Sequence, residues 1–260
     1  MNNILVKLIG YPATILHGDP AVFDRWRWLK RHIKGGRLKT LDAGCGSGAF
    51  AMYATKNGNE TTGISFDDRN NKVATVRAEI LNLKNIKFIK ADLRKLDEVF
   101  KEKEIFDQII CFETIEHILD DKKLIKDFFD LLKPGGKLFL TVPYKHYKRL
   151  LGDKLSQFED GGHVRWGYTH EEMTKILSNF GFRIEVKEYI TGYMSQKLIY
   201  LGRLIGGINS KLAWILIFPF RIFQFLDPIL AKLIKYPFHS IGIIAAKPHT
   251  ELCSGARVKK

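Results

Sequence analysis

Between residues 38 and 190 short apolar runs alternate with segments in which apolar residues return every three or four positions. The runs at 38–44 (LKTLDAG), 61–65 (TTGIS), 86–92 (IKFIKAD), 106–113 (FDQIICFE) and 137–143 (KLFLTVP) are short and nearly continuous, which predicts buried strands. Between them, 47–58, 68–83, a short stretch near 94–102 and 119–133 predict helices. In the last of these Leu124, Phe128, Leu131 and Leu132 share one face, and Pro134-Gly135-Gly136 stops the helix. Strict alternation predicts an open, mostly parallel sheet, because parallel neighbours need a crossover and a helix both supplies it and covers the sheet. A further helix over 169–182 opens with Thr169 and Glu172 in capping-box spacing and ends at Gly181; strands at 182–190 and 240–248 follow. The fold class is therefore α/β, a doubly wound, Rossmann-like, mostly parallel seven-stranded sheet with helices on both faces.

Two segments lie outside the alternation. Residues 1–37 form an N-terminal helical cap: Asp19 caps a helix with Pro20 in its first turn, and Val22, Trp26, Leu29 and Ile33 share a face. Arg25, Arg27, Lys30, Arg31, Lys34, Arg37 and Lys39 make its other face and its exit basic. Residues 192–239 form a hydrophobic helical insertion between the core at 38–191 and the final strand at 240–248; 249–260 are expected to be a disordered polar tail. The stretch LAWILIFPFRIFQF (212–225) holds one charged residue, Arg221.

Composition sharpens this picture. A chain of 260 residues with 45% hydrophobic content can close a large core. Of the net charge of +14, residues 192–260 supply eight, with ten Lys and Arg against Asp227 and Glu251. That asymmetry points to an anionic surface near the C-terminal part, either membrane or nucleic acid. Cys45, Cys111 and Cys253 show no paired spacing, and no run approaches the ~18 uninterrupted apolar residues of a spanning helix. The expectation is a cytoplasmic protein, peripheral to a membrane at most.

The chemistry is carried by LDAGCGSGAF (41–50). Gly44, Gly46 and Gly48 directly after a strand allow a tight turn at a helix N-terminus, where a ligand can approach the backbone. Asp42, two residues before the first glycine, would repel a pyrophosphate but suits a ligand bearing an ammonium and a sulfonium, as S-adenosylmethionine does. The stretch resembles motif I of the class I S-adenosylmethionine-dependent methyltransferases, of the small-molecule kind with type 11 or type 23 domains. FDQIICFETIEHI, LLKPGGKLFLTVP and GGHVRWGYTHEEMTKILSNFGF are similar to that family's fourth strand, fifth strand and substrate-side loop with its helix.

The resemblance implies S-adenosylmethionine as cofactor, held by Asp42, Ala43, Gly44, Cys45, Gly46 and Gly48, by Asp92 and Leu93 after the third strand, and by Phe112, Glu113 and His117 after the fourth. Where most members end the second strand with an acid for the ribose, this chain has Ser65, Phe66 and Asp67, which looks more like the cyclopropane-fatty-acid synthase and sterol methyltransferase branch. Members usually join their last two strands by a short turn, so 192–239 is added to an already complete domain.

Methyl transfer asks the protein to align acceptor and methyl group, and to remove a proton where the acceptor is a hydroxyl. Glu113, His117 and His163 are the candidate bases, His163 foremost. Anchoring of the loop is the other reading of His163 and Arg165. No metal is expected, since no His or Cys cluster has ligand spacing. Aromatics, cations and the breaks at Pro219, Pro228 and Pro237 predict that 194–237 lies in a membrane interface beside the site, making the acceptor a lipidic or lipid-linked small molecule. An apolar cap or homodimer surface over a soluble acceptor or sugar is the alternative. No specific nucleic acid is expected: after the fourth strand stand Phe112, Glu113, Thr114 and Ile115, not the N/D-P-P-Y of base-modifying enzymes.

Overall fold

The structure, a computed structural model, describes residues 2–149 and 154–249; Cys253 and all but His249 of the predicted tail lie outside the described residues. Three helices open the chain, α1 Asn2–Ile9, α2 Pro12–Leu16 and α3 Pro20–His32. The alternation follows: β1 Lys39–Ala43, α4 Ala49–Lys56, β2 Glu60–Ser65, α5 Asp68–Ile80, β3 Ile86–Lys90, α6 Leu96–Val99, β4 Phe106–Phe112, α7 Asp121–Leu131 and β5 Leu132–Pro143. Then come α8 His170–Asn179, β6 Arg183–Ile190, α9 Tyr193–Gly206, α10 Ser210–Ile217, α11 Asp227–Ile234 and β7 Ser240–Ala246. Among the described residues the sheet has seven strands in the order β3-β2-β1-β4-β5-β7-β6, with β7 antiparallel to both neighbours and the other pairings parallel.

Local chemistry explains the boundaries. Thr169 and Glu172 form the reciprocal capping box at the start of α8. Asp19 accepts from Ala21 N ahead of Pro20 at the start of α3. The Pro134-Gly135-Gly136 stop is not a free loop: β5 begins directly after α7, and the register with β4 slips between Phe106 and Gln108 to absorb it. Helix α3 packs the face its periodicity predicts, with Leu29 fully buried and Val22, Trp26 and Ile33 partly buried against the core, and it buries more than that face. Trp28, Leu29 and Asp24 are buried, and Trp28 lies edge-on to Phe112 and Phe139 over the sheet.

The insertion is where sequence and structure diverge most. Ser210–Ala231 is a 22-residue helical passage long and apolar enough to cross a bilayer, a passage not visible as an uninterrupted apolar run because Arg221, Gln224 and Asp227 break it. Its centre, Phe218–Leu226, is a 3₁₀ helix bounded by Pro219 and Pro228. With three residues per turn, Arg221, Gln224 and Asp227 fall in one row, and all three are buried. Arg221 donates to the carbonyls of Leu16 and Gly18, and Gln224 donates at 3.0 Å both to Pro20 O and to Ser195 Oγ. Asp227 accepts from Met194 N and Ser195 N, capping α9 from a distant point of the chain. The outer face carries Ile215, Phe220, Ile222, Phe225 and Ile229, each more than half exposed.

Candidate active site

Four strand ends converge on the glycine turn. Gly44 N and Cys45 N both donate to Ile64 O, which pins the turn to the neighbouring strand. Gly44, Gly46 and Gly48 all have positive φ. A Cβ at Gly44 would lie 2.3 Å from Thr114 Oγ1 and one at Gly48 would lie 2.9 Å from Phe88, so both glycines are required by packing. A Cβ at Gly46 would meet nothing within 4 Å, so the turn is open on the side a ligand must approach. Arg77 of α5, buried and absent from the sequence reading, donates to Ser47 Oγ at 2.8 Å and braces the turn from behind.

The predicted cofactor residues take different stations around this turn. Asp42 lies under it, 2% exposed, with Oδ2 lacking a protein partner. Burial pushes its carboxyl up to about 7 against a hydrogen bond with the Ala51 backbone. Ala43 and Cys45 are buried in the same place, and burial raises the Cys45 thiol, so this cysteine is a packing residue. At the end of β2, Ser65 Oγ accepts from Asp67 N, Asp67 caps α5 through Arg69 N, and Phe66 is 70% exposed as a free apolar platform. Asp92 is held below the usual carboxylate range by Arg94, which grips both its oxygens and also pairs with Glu159 at 2.6 Å. Leu93 is buried beside it. Phe112 is buried against Phe50, with ring centroids 4.8 Å apart. This donor set suits S-adenosylmethionine: an open glycine turn, a buried carboxylate oxygen without a partner behind it, and an exposed aromatic at the ribose corner.

A cavity of about 380 Å³ lies beyond Glu113. Glu113 has φ +47 and donates its backbone N–H to Thr141 O, a strained conformation that aims its side chain off the end of β4. Its carboxylate accepts from Ser240 Oγ at 3.2 Å and lies 3.7 Å from the Arg25 guanidinium. Burial raises it, and Arg25 opposes that shift.

His117 and His163 meet edge to face with centroids 4.7 Å apart. The carbonyl of Gly162 accepts from His117 Nδ1 at 3.0 Å, leaving Nε2 bare in the neutral ring. Behind both rings sits Glu116, fully buried with neither oxygen hydrogen-bonded, its carboxyl raised first by burial and then by Glu113. Ligand atoms of Glu116, His117 and His163 lie within 4.8 Å of one another, a grouping able to hold a metal ion. Sequence spacing gave no sign of it, because His163 arrives on a loop from far along the chain. That loop is anchored by Arg165, which bonds Asp121 and the carbonyls of Ile118 and Leu119. Arg165 thus takes the anchoring reading, while His163 lines the cavity.

Sequence reasoning missed Asp19, Arg25, Glu116, Arg203 and His239, all of which line the same cavity. The pattern along α3 predicts an outward-facing Arg25, yet the docked helix turns it inward toward Glu113. His239 is half-buried, and loss of hydration drives its imidazole down to about 4, so it is neutral near pH 7. Ser240 donates to Glu113, so its oxygen can accept from His239 Nδ1 at 2.9 Å, which leaves His239 Nε2 as a bare acceptor.

A family profile described as a methyltransferase domain matches residues 24–186. A ubiquinone biosynthesis O-methyltransferase of Coxiella burnetii is 33% identical over 127 residues, 49% of this chain and 53% of the relative. The chain thus spans about half the length of the curated relatives it matches. Among solved structures, an S-adenosylmethionine-dependent methyltransferase from Mesorhizobium loti superposes with a TM-score of 0.58 at 20% identity, covering 89% of this chain and 99% of that one. A [4+2]-cyclase does so with a TM-score of 0.61 at 20% identity, covering 86% and 80%. Those likenesses establish the fold, and the cyclase shows that the fold by itself does not dictate the reaction. The profile spans well over half the chain and contains the glycine turn, so the chain belongs to the methyltransferase-domain family, the class I S-adenosylmethionine-dependent methyltransferases.

Proposed function

We propose that this protein methylates a small lipid-linked acceptor at a membrane surface, as a cytoplasmic, peripheral enzyme. One observation carries the reading: beside the polar cavity lies an insertion whose central stretch turns Arg221, Gln224 and Asp227 inward and an apolar face outward. A surface of that kind is costly in water and is relieved by a lipid interface. The name of the curated relatives, which places them in ubiquinone biosynthesis, supports the same substrate class. The insertion is anchored to the protein body by Arg221, Gln224 and Asp227 through the α2–α3 region and α9, which supports an in-plane rather than a crossing disposition.

S-adenosylmethionine supplies an electrophilic methyl group on its sulfonium. The residues that would hold it are the Gly44–Gly48 turn, the Ser65–Asp67 corner, Asp92 with Leu93, and Phe112. Asp42 acts from beneath the turn through its charge. Glu113, fixed by Ser240 and Arg25, walls off the cofactor side and positions the acceptor. A hydroxyl acceptor loses its proton to an imidazole of the cavity. His163 is the foremost candidate, with His117 stacked against it, and His239 offers a second bare nitrogen on the opposite wall. Which of these acts sets the pH profile.

The test is methyl transfer from radiolabelled S-adenosylmethionine to total cell extract, partitioned between organic, aqueous and nucleic-acid fractions, with Asp42→Ala as the blank. Label in the organic phase supports the reading. Label confined to the aqueous phase would make the insertion a cap or dimer surface over a soluble acceptor, and label in the nucleic-acid precipitate would replace the substrate class altogether.

A further inference from the structure

Three depressions run in series from the catalytic cavity to the outer face of the insertion. The cavity beyond Glu113 shares Asp19 and Arg203 with a groove of about 250 Å³ between α9, α10 and the link joining α2 to α3. That groove shares Phe218 and Arg221 with a third depression of about 310 Å³ bounded by Leu16, Phe23, Ile222 and Phe225. Polarity falls along the series. The cavity presents Glu116, His117, His163 and Lys154, whereas the groove presents Leu198, Ala213, Trp214, Ile217 and Phe218.

We propose that this groove binds the single hydrocarbon chain of the acceptor, with the reacting head in the cavity and the far end of the chain emerging at the exposed apolar face. The assignment rests on the lipid-linked reading and adds to it a path and a specificity determinant. Gly202 is what keeps the groove open. A Cβ there would come within 3.1 Å of Ile217 Cδ1 on the facing helix, so any larger side chain fills the space between α9 and α10. Gly18 leaves the opposite wall low, its would-be Cβ touching only Val22 and the Ile15 carbonyl.

Arg203 stands at the junction of cavity and groove, exposed and in no ion pair among the described residues. A cation at that depth can face the polar head while its methylenes border the chain. Trp214 lines the groove, its indole N–H toward Leu16 O and its ring stacked on His17, so it reports directly on what enters.

The probe is ω-bromoundecanoate, a carboxylate with one long chain whose bromine quenches indole fluorescence on contact, added to the full-length protein. Saturable quenching is expected, and Trp214→Phe should remove most of it. Shortening the chain to ω-bromopentanoate should weaken binding by about tenfold or more, because each sheltered methylene contributes to affinity. Gly202→Leu should cost about as much for the long probe and leave the short one unchanged. Arg203→Ala, at an exposed position that carries no folding risk, should weaken the long carboxylate and not the corresponding ω-bromoundecanol. Equal quenching of the wild type and a folded Gly202→Leu, or quenching that survives Trp214→Phe, overturns the groove. Organic-phase methyl label and vesicle co-sedimentation, measured on the same proteins, keep the two ideas apart. If Gly202→Leu labels lipid at the wild-type rate, the groove falls and the lipid-linked reading stands. If the wild type labels no lipid, that reading falls whatever the quenching shows.

Discussion

The sheet and the insertion solve burial in opposite ways. In the sheet, Phe139, Ile109, Leu41 and Ile64 are sealed from solvent, and among the described strands Asp42 is the one Asp, Glu, Lys or Arg that is buried. In the insertion Arg221, Gln224 and Asp227 point inward while Ile222, Phe225 and Ile229 point out. The first arrangement is what water selects. The second is stable only because each inward polar group has a fixed partner on α3, α9 or the link before α3, and it leaves an apolar face that water alone would not maintain. The lesson is that exposure patterns, more than composition, separate a core helix from an interfacial one.

The largest test of this contrast places the same charge in both regions. Phe139→Asp should abolish folding, at a cost on the order of 5 kcal/mol or more, whereas the same change at Phe223, exposed beside Ile222 on the insertion, should shift stability by no more than about 1 kcal/mol. Thermal unfolding followed by circular dichroism measures both, and a comparable loss at Phe223 would mean that the outer face is buried in solution, as in a dimer.

The second test is pH. Burial lifts Asp24, on the α3 face that meets the insertion, to about 7; the hydrogen bond from Ser195 opposes the rise and the nearby Asp227 carboxylate adds to it. An unfolded aspartate titrates near ~3.9, so between about pH 4 and pH 7 the folded chain holds a proton that the unfolded chain has lost. Asp24 therefore makes stability fall as pH rises through that window and level off above it, by up to about 4 kcal/mol. Asp24→Asn should flatten that part of the profile in urea titrations at pH 5 and pH 8. Parallel profiles for the two proteins would show that Asp24 ionises freely in the folded state.

A smaller effect is expected inside the insertion. Gln224→Leu strands Pro20 O and Ser195 Oγ and should cost about 2 kcal/mol. Loss of amide protection confined to 210–234 would show that the insertion opens as a unit. The smallest stability effect belongs to the triple exchange of Ile222, Phe225 and Ile229 for Ser, expected within about 1 kcal/mol of the wild type. Its partition to anionic vesicles should nevertheless fall by about tenfold or more, and unchanged co-sedimentation would remove the membrane from the account.

Much of the sheet was legible because strand and helix leave different periods in the sequence, and Thr169–Glu172 and Asp19–Pro20 mark helix starts by local chemistry alone. The glycine turn was legible for the same reason: positive φ and close approach at Gly44 and Gly48 demand glycine, and that demand is written in the chain. Glu113, His117 and His163 could be named from their motifs, but not their company.

What only the tertiary structure decided is which distant groups face one another. The inward turn of Arg25 depends on how α3 docks its Trp28 on the sheet. The meeting of His163 with His117 and Glu116 depends on a loop tied down by Arg165. The burial of Arg221, Gln224 and Asp227 depends on a 3₁₀ register that two prolines bound. Period and cap are local quantities, fixed by neighbours a few residues away. Docking angle, loop closure and the side of a helix that meets the body depend on contacts between segments far apart in the chain, and no short stretch of sequence contains them.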